Sequence, residues 1–150
     1  MTTIMRLQVH NNPGVLDRVA GLFRHNGWNI ESISAGVSKG SITYINVSFK
    51  NRYVDMRLLS KQISRMDFVI DWEECTPDTH LMRELLLIKI YRKDFEGVSL
   101  PEKKIIREEG EFVLVECASA PWEIDEFIQS ANVLECTRSG VTMIIKGGDA

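Results

Sequence analysis

Near its start the chain alternates Met5, Leu7 and Val9 with Arg6, Gln8 and His10, the period-two pattern of a strand that buries one face. Asn11-Asn12-Pro13-Gly14 follows as a turn and a helix start together. Asn12 is placed as N-cap and Pro13 at the first helical position, where its missing N–H removes no bond. Leu16, Val19, Ala20 and Phe23 then recur at helical spacing, and Asn26-Gly27 closes the helix because glycine accepts left-handed backbone. Residues 28–37 read as extended chain, Ser38-Lys39-Gly40-Ser41 as a turn, and residues 42–49 as a second alternating run, so the two extended segments form a hairpin. Met56, Leu59, Ile63 and Met66 share one face of a second helix, and residues 68–72 make a compact apolar strand ending in Glu73-Glu74. The order β-α-β-β-α-β predicts the ferredoxin-like split βαβ arrangement, with both helices on one face of an antiparallel sheet.

Thr76-Pro77-Asp78-Thr79 is a polar break containing a proline, and it divides the chain into candidate domains 1–75 and 76–150. In the second half residues 85–90 read as a well-buried strand and residues 112–115 as another. Ile124, Phe127, Ile128 and Ala131 form a short helix after Pro121, and residues 141–145 a last strand. Between residues 94 and 110 the pattern assigns no element. The fold class is therefore α+β: a complete βαββαβ domain followed by a smaller, shortened α+β domain.

Composition narrows the function classes. With 150 residues, 44% hydrophobic and 26% charged, the chain is globular rather than disordered or fibrous. The net charge of -3 is the wrong sign for the phosphate-neutralising field of a nucleic-acid binder. Residues 1–75 carry +2 and residues 76–150 carry -5, two distinct solvated surfaces. No stretch of about 20 apolar residues occurs, so the expectation is a cytoplasmic protein with no membrane partner. Cys75, Cys117 and Cys136 are odd in number and lack a C-x-x-C pair, which signals neither a disulfide framework nor a zinc site.

Catalytic groups are scarce. His10, His25 and His80 have no sequence-local partner arranged as a triad or metal pair, and a surface or helix-end role is expected for each. Glu73-Glu74 and Glu108-Glu109 are consecutive, so on strands each pair points to opposite faces and reads as solvated edge. No phosphate-cradling glycine motif is present. The expected sets of catalytic and metal-binding residues are both empty.

The helix start offers binding chemistry instead. A helix beginning in Asn12-Pro13-Gly14-Val15-Leu16 leaves first-turn N–H groups unpaired and adds dipole charge, which suits a small anion. Gly14 lets a carboxylate approach the backbone, and the Asn11 amide can both donate and accept.

The same residues carry a resemblance. The run Asn11-Asn12-Pro13-Gly14-Val15-Leu16-Asp17-Arg18-Val19-Ala20-Gly21-Leu22-Phe23, followed by Gly27-Trp28-Asn29-Ile30-Glu31-Ser32-Ile33, resembles the N-terminal ACT domain of acetolactate synthase (acetohydroxyacid synthase) small regulatory subunits. His80-Leu81-Met82-Arg83-Glu84-Leu85 is similar to that family's H-x-x-R-E segment, and Arg138-Ser139-Gly140 to its C-terminal R-[ST]-G. The resemblance implies a non-catalytic homodimeric partner of a large catalytic subunit. That subunit condenses 2-oxo acids on the way to valine, leucine and isoleucine. The chain itself then needs no cofactor; thiamine diphosphate, Mg and FAD are expected on the catalytic partner. It also implies a valine-type effector at the dimer interface, gripped by Asn11, Gly14, Val15 and Leu16 of one protomer and reached by Asn29 and Ile30 of the other. The family usually has a longer loop where Ser38-Lys39-Gly40-Ser41 stands, and a helix and strand between Phe95 and Val113 that the pattern here does not display. Two rival readings share the fold: a free-standing ACT-type amino-acid sensor acting on another partner, and a small enzyme.

Overall fold

The alternation at the start of the chain folds as a nine-residue strand, β1 (Thr2–His10), with Met5, Leu7 and Val9 fully buried. The computed structural model describes residues 1–37 and 39–147. The chain divides into two units, Met1–His80 and Leu81–Ala150.

In the first unit β1 lies between β3 (Ile42–Lys50) and β4 (Val69–Cys75), with β2 (Ser32–Val37) outside β3. The order is β2-β3-β1-β4 and every neighbouring pair is antiparallel. The ferredoxin-like arrangement follows from this order: each βαβ crossover skips one strand, and the strand from the other crossover fills the gap. Two helices, α1 (Val15–His25) and α2 (Met56–Ile63), lay Val19, Phe23, Leu59 and Ile63 against Leu7, Ile45, Val47 and Phe49 of the sheet. The Phe23 and Phe49 rings meet at 5.3 Å. Burying each such side chain stabilises the fold by about 1.5–3 kcal/mol.

Helix α1 does not start where the sequence places it. Asn12-Pro13-Gly14-Val15 is a turn closed by Val15 N–H to Asn12 O at 3.4 Å, and Gly14 has φ 82 and ψ 0. That is the third-position geometry of a type II turn, which favours proline at the second position. Pro13 therefore precedes the helix rather than opening it, and Gly14, not Asn12, is the N-cap. The other end fits its expectation. Gly27 N–H bonds to Arg24 O at 3.0 Å and Trp28 N–H to Phe23 O at 2.9 Å, the Schellman pattern, with the Trp28 ring 6.1 Å from that of Phe23. Of the expected turn between β2 and β3, Ser38 lies outside the described residues, and Gly40 takes the left-handed conformation at φ 74. Asp55 caps α2, its Oδ1 accepting from Arg57 N–H at 3.0 Å and Leu58 N–H at 3.1 Å.

The second unit contains β5 (His80–Tyr91, whose first residue lies in the first unit), a single helical turn α3 (Arg92–Phe95), β6 (Lys104–Glu109), β7 (Phe112–Ser119), α4 (Pro121–Ser130), β8 (Glu135–Arg138) and β9 (Thr142–Ile145). Its strands run β6-β7-β5-β8, with β9 also on β5. Up to β8 the unit thus repeats the β-α-β-β-α-β order and strand sequence of the first.

Two expectations for this half are corrected. The stretch between Phe95 and Val113 does contain a strand, β6, paired antiparallel to β7. Its register shifts between Ile105 and Arg107, and the extra residue breaks the alternation by which a strand is recognised. Strand β5 is not buried on both faces: Leu86, Ile88 and Ile90 point into the core, while Leu81, Leu85 and Leu87 stay exposed.

The motif residues Glu84 and Arg138 meet here. Glu84 points inward at 3% exposure and receives Arg138 Nε at 2.9 Å, Arg138 Nη2 at 2.8 Å and Gly140 N–H at 3.2 Å. Arg138 Nη1 reaches Asp125 Oδ1 at 2.6 Å. Leu85 N–H donates to Ser139 Oγ, and Ser139 N–H to Leu85 O, both at 3.0 Å. A bidentate guanidinium is what lets a carboxylate be buried, so these residues lock strands 54 positions apart.

Candidate functional site

Asn11 lies just past β1, where its N–H bonds to Ser41 O at 2.8 Å, and its side chain is exposed. Gly14 sits at the tip of the turn, and a Cβ built there would meet nothing within 4 Å. Glycine is required by the positive φ, not by crowding. Val15 is buried in the core while Leu16 is 44% exposed, so consecutive residues present one anchored and one free apolar surface. No side chain caps α1; the Val15 N–H returns to Asn12 O at 3.4 Å and the Arg18 N–H to Gly14 O at 3.0 Å. The N–H groups of Leu16 and Asp17 lie between these two bonds, at the positive end of the helix. The arrangement can hold a carboxylate against the backbone, offer the Asn11 carbonyl to an ammonium group, and place an aliphatic side chain on Leu16.

Asn29 and Ile30 are not beside these residues within one chain. They lie in the connection from α1 to β2, at the opposite end of an 11-residue helix about 16 Å long. The next residue shows which end this is. Glu31 N–H bonds to Ser48 O at 2.8 Å, and its carboxylate meets Thr2 Oγ1 at 3.2 Å and Lys50 Nζ at 3.3 Å, at the start of β1 rather than its end. Asn29 is exposed and Ile30 packs partly against the core. The structure brings together Asn11, Gly14, Val15 and Leu16, and separates them from Asn29 and Ile30.

His80 corrects another expectation. It is neither at the surface nor at a helix end but 1% exposed, with Glu73 Oε1 3.2 Å and Cys75 Sγ 3.8 Å from its Nε2. Glu73 is accordingly not merely solvated edge. Burial, with the Glu73 charge adding to it, pushes the Cys75 thiol up to about 12. The only sequence signal was the short spacing of the three residues around a proline turn, which matches no standard ligand motif.

The antiparallel βαββαβ unit, with an uncapped helix start beside β1, has the ferredoxin-like fold of an ACT-type domain. Residues 5–71 match the family described as the AHAS small subunit-like ACT domain. The whole chain is similar to an acetolactate synthase small subunit of Buchnera aphidicola, 29% identical over 95% of this chain and 97% of that one. It is also 29% identical to an acetolactate synthase small subunit of Bacillus subtilis, over 98% of this chain and 92% of that one. A crystal structure of an acetolactate synthase small subunit from Thermotoga maritima superposes with a TM-score of 0.77 at 26% identity, covering 99% of both chains. Among the described residues no helix is long and apolar enough to cross a membrane.

Proposed function

We propose that this chain is the non-catalytic regulatory subunit of an acetolactate synthase. It raises the activity of a thiamine-diphosphate-dependent catalytic subunit and conveys feedback by valine or another branched-chain amino acid. The observation that carries the reading is end-to-end similarity, across both units, to proteins named as acetolactate synthase small subunits.

The effector site is proposed to form between two copies. Asn11, Gly14, Val15 and Leu16 of one protomer hold the amino acid, and Asn29 and Ile30 of the other close over it. Strand geometry supports this. β2 is an edge strand whose end, Val37, pairs with Thr43, one register step from His10, while its start, Ser32, follows Asn29 and Ile30 by three and two residues. If two β2 edges pair antiparallel across a two-fold axis, the start of one lies beside the end of the other. Asn29 and Ile30 of the partner subunit then arrive at the Asn11 end, across the distance that separates them within one chain. A ligand bridging that seam changes affinity only through the interface geometry it favours, which is the requirement for an allosteric signal.

Size-exclusion chromatography of the chain with the catalytic subunit from the same genome tests the assembly, and calorimetry of valine with the chain alone tests the effector site. Co-elution and saturable valine heat are expected. Independent elution, with no rise in acetolactate formation on mixing, would sink the proposal.

A further inference from the structure

The turn leaving β4 gathers three side chains that the amino-acid site does not use. Cys75 ends β4 and His80 begins β5, and between them Thr79 N–H and His80 N–H both return to Thr76 O, at 3.2 and 2.9 Å. Glu73 and Cys75, two apart on one strand, share a face of the sheet. The Nε2 of the buried His80 ring lies 3.2 Å from Glu73 Oε1 and 3.8 Å from Cys75 Sγ, and its Nδ1 lies 2.9 Å from Thr79 Oγ1.

The hydrogen bonds around this ring are compatible with a metal-binding tautomer. The Thr79 hydroxyl lies 3.2 Å from Thr76 O and 3.0 Å from Thr76 Oγ1, either of which can take its hydrogen, and Thr79 Oγ1 accepts Thr76 N–H at 3.2 Å. Thr79 Oγ1 is thus able to accept from His80 Nδ1 at 2.9 Å, and the tautomer with its hydrogen on Nδ1 carries a lone pair on Nε2. In that tautomer Nε2 and Glu73 Oε1 are two acceptors 3.2 Å apart, which a shared cation, a proton or a metal ion, draws together.

We propose that Glu73 Oε1, Cys75 Sγ and His80 Nε2 form a site for a borderline-soft divalent cation of the zinc type, with a fourth position open. The three atoms already lie within 4.8 Å of one another. In a tetrahedral zinc shell, with metal–sulfur near 2.3 Å and metal–nitrogen and metal–oxygen near 2.0–2.1 Å, the sulfur–nitrogen edge is about 3.5 Å and the nitrogen–oxygen edge about 3.3 Å. The corresponding separations here are 3.8 and 3.2 Å. These two edges match to within a few tenths of an ångström, and the sulfur–oxygen edge lies within 4.8 Å. Mixed sulfur, nitrogen and oxygen donors favour zinc over magnesium or calcium, which take oxygen. Thr79 supplies the outer hydrogen bond that fixes a ligating imidazole, and one thiolate with one carboxylate balances the 2+ charge. Arg6 stands opposite Glu73 in the sheet register, but its guanidinium lies over the Tyr44 ring at 3.8 Å. The bound ion would clamp the turn between β4 and β5.

The test uses the full chain, stripped with a chelator and titrated with Co2+ as a spectroscopic probe and then with Zn2+. One equivalent is expected, with a thiolate-to-cobalt charge-transfer band and the visible bands of four-coordinate cobalt. Cys75→Ser should remove the charge-transfer band. His80→Gln and Glu73→Gln should each weaken Zn2+ binding at least about 10-fold, Thr79→Val should weaken it by about 10-fold, and Cys136→Ser should change nothing. Glu73 is half exposed on its strand, so Glu73→Gln remains decisive should His80→Gln fail to fold. A wild-type chain that takes up neither ion at micromolar concentration overturns the proposal. So does a charge-transfer band that survives Cys75→Ser and disappears in Cys136→Ser.

Discussion

Gly14 illustrates how one residue serves both the fold and the candidate site. Its φ of 82 lies where an L side chain is strained by about 1–2 kcal/mol, although the space around it is open. Gly14→Ala should therefore lower urea stability by about 1 kcal/mol, and it should weaken valine binding because the turn aims the first N–H groups of α1. Asn11→Ala is the complementary case. The exposed Asn11 side chain supports little of the fold, so stability should hold while calorimetric valine affinity falls by about 1–3 kcal/mol. Unchanged affinity would remove Asn11 from the site. Glu84 and Arg138 belong wholly to the scaffold. Arg138→Met strands a buried carboxylate and should cost about 3–5 kcal/mol in chemical denaturation, while adding Glu84→Leu should restore most of it.

At the scale of elements, legibility followed burial. β1, α1, β3 and α2 were legible because each packs one face on the core of its unit, which stamps period 2 or period 3.6 on the sequence. β6 and β8 were not. Both are largely exposed, β6 carries an irregularity near Ile106, and Glu135-Cys136-Thr137-Arg138 shows no apolar alternation. With α3 reduced to a single turn, the repetition of the first unit's topology was hidden as well. The same logic holds for the sites. The helix start was readable because its residues are contiguous, although its cap was misplaced by two positions; the Glu84–Arg138 lock and the His80 cluster needed three-dimensional pairing. Helix α4 makes a pH prediction. The Ser119 hydroxyl and the Ala120 N–H hold the Glu123 carboxyl below its ordinary value. Because the folded value lies below the unfolded one, this contribution is complete above about pH 4.3 and is lost as pH falls through the folded value. Glu123→Gln should flatten that part of the acid-unfolding curve, monitored by circular dichroism.

For the whole molecule, the proposed function arises from assembly. With its candidate ligand residues at opposite ends of one helix, the proposed site requires a pair of chains, so light scattering should return twice the 17.1 kDa chain mass. Valine should tighten that pair, by the reciprocity of linked equilibria. The most direct measurement is the rate of acetolactate formation from pyruvate by the catalytic subunit of the same genome, alone, with this chain, and with this chain plus valine. The rate should rise on adding the chain and fall again with valine, the fall being blunted in Asn11→Ala. A rate that the chain leaves unchanged at saturating concentration would contradict the account.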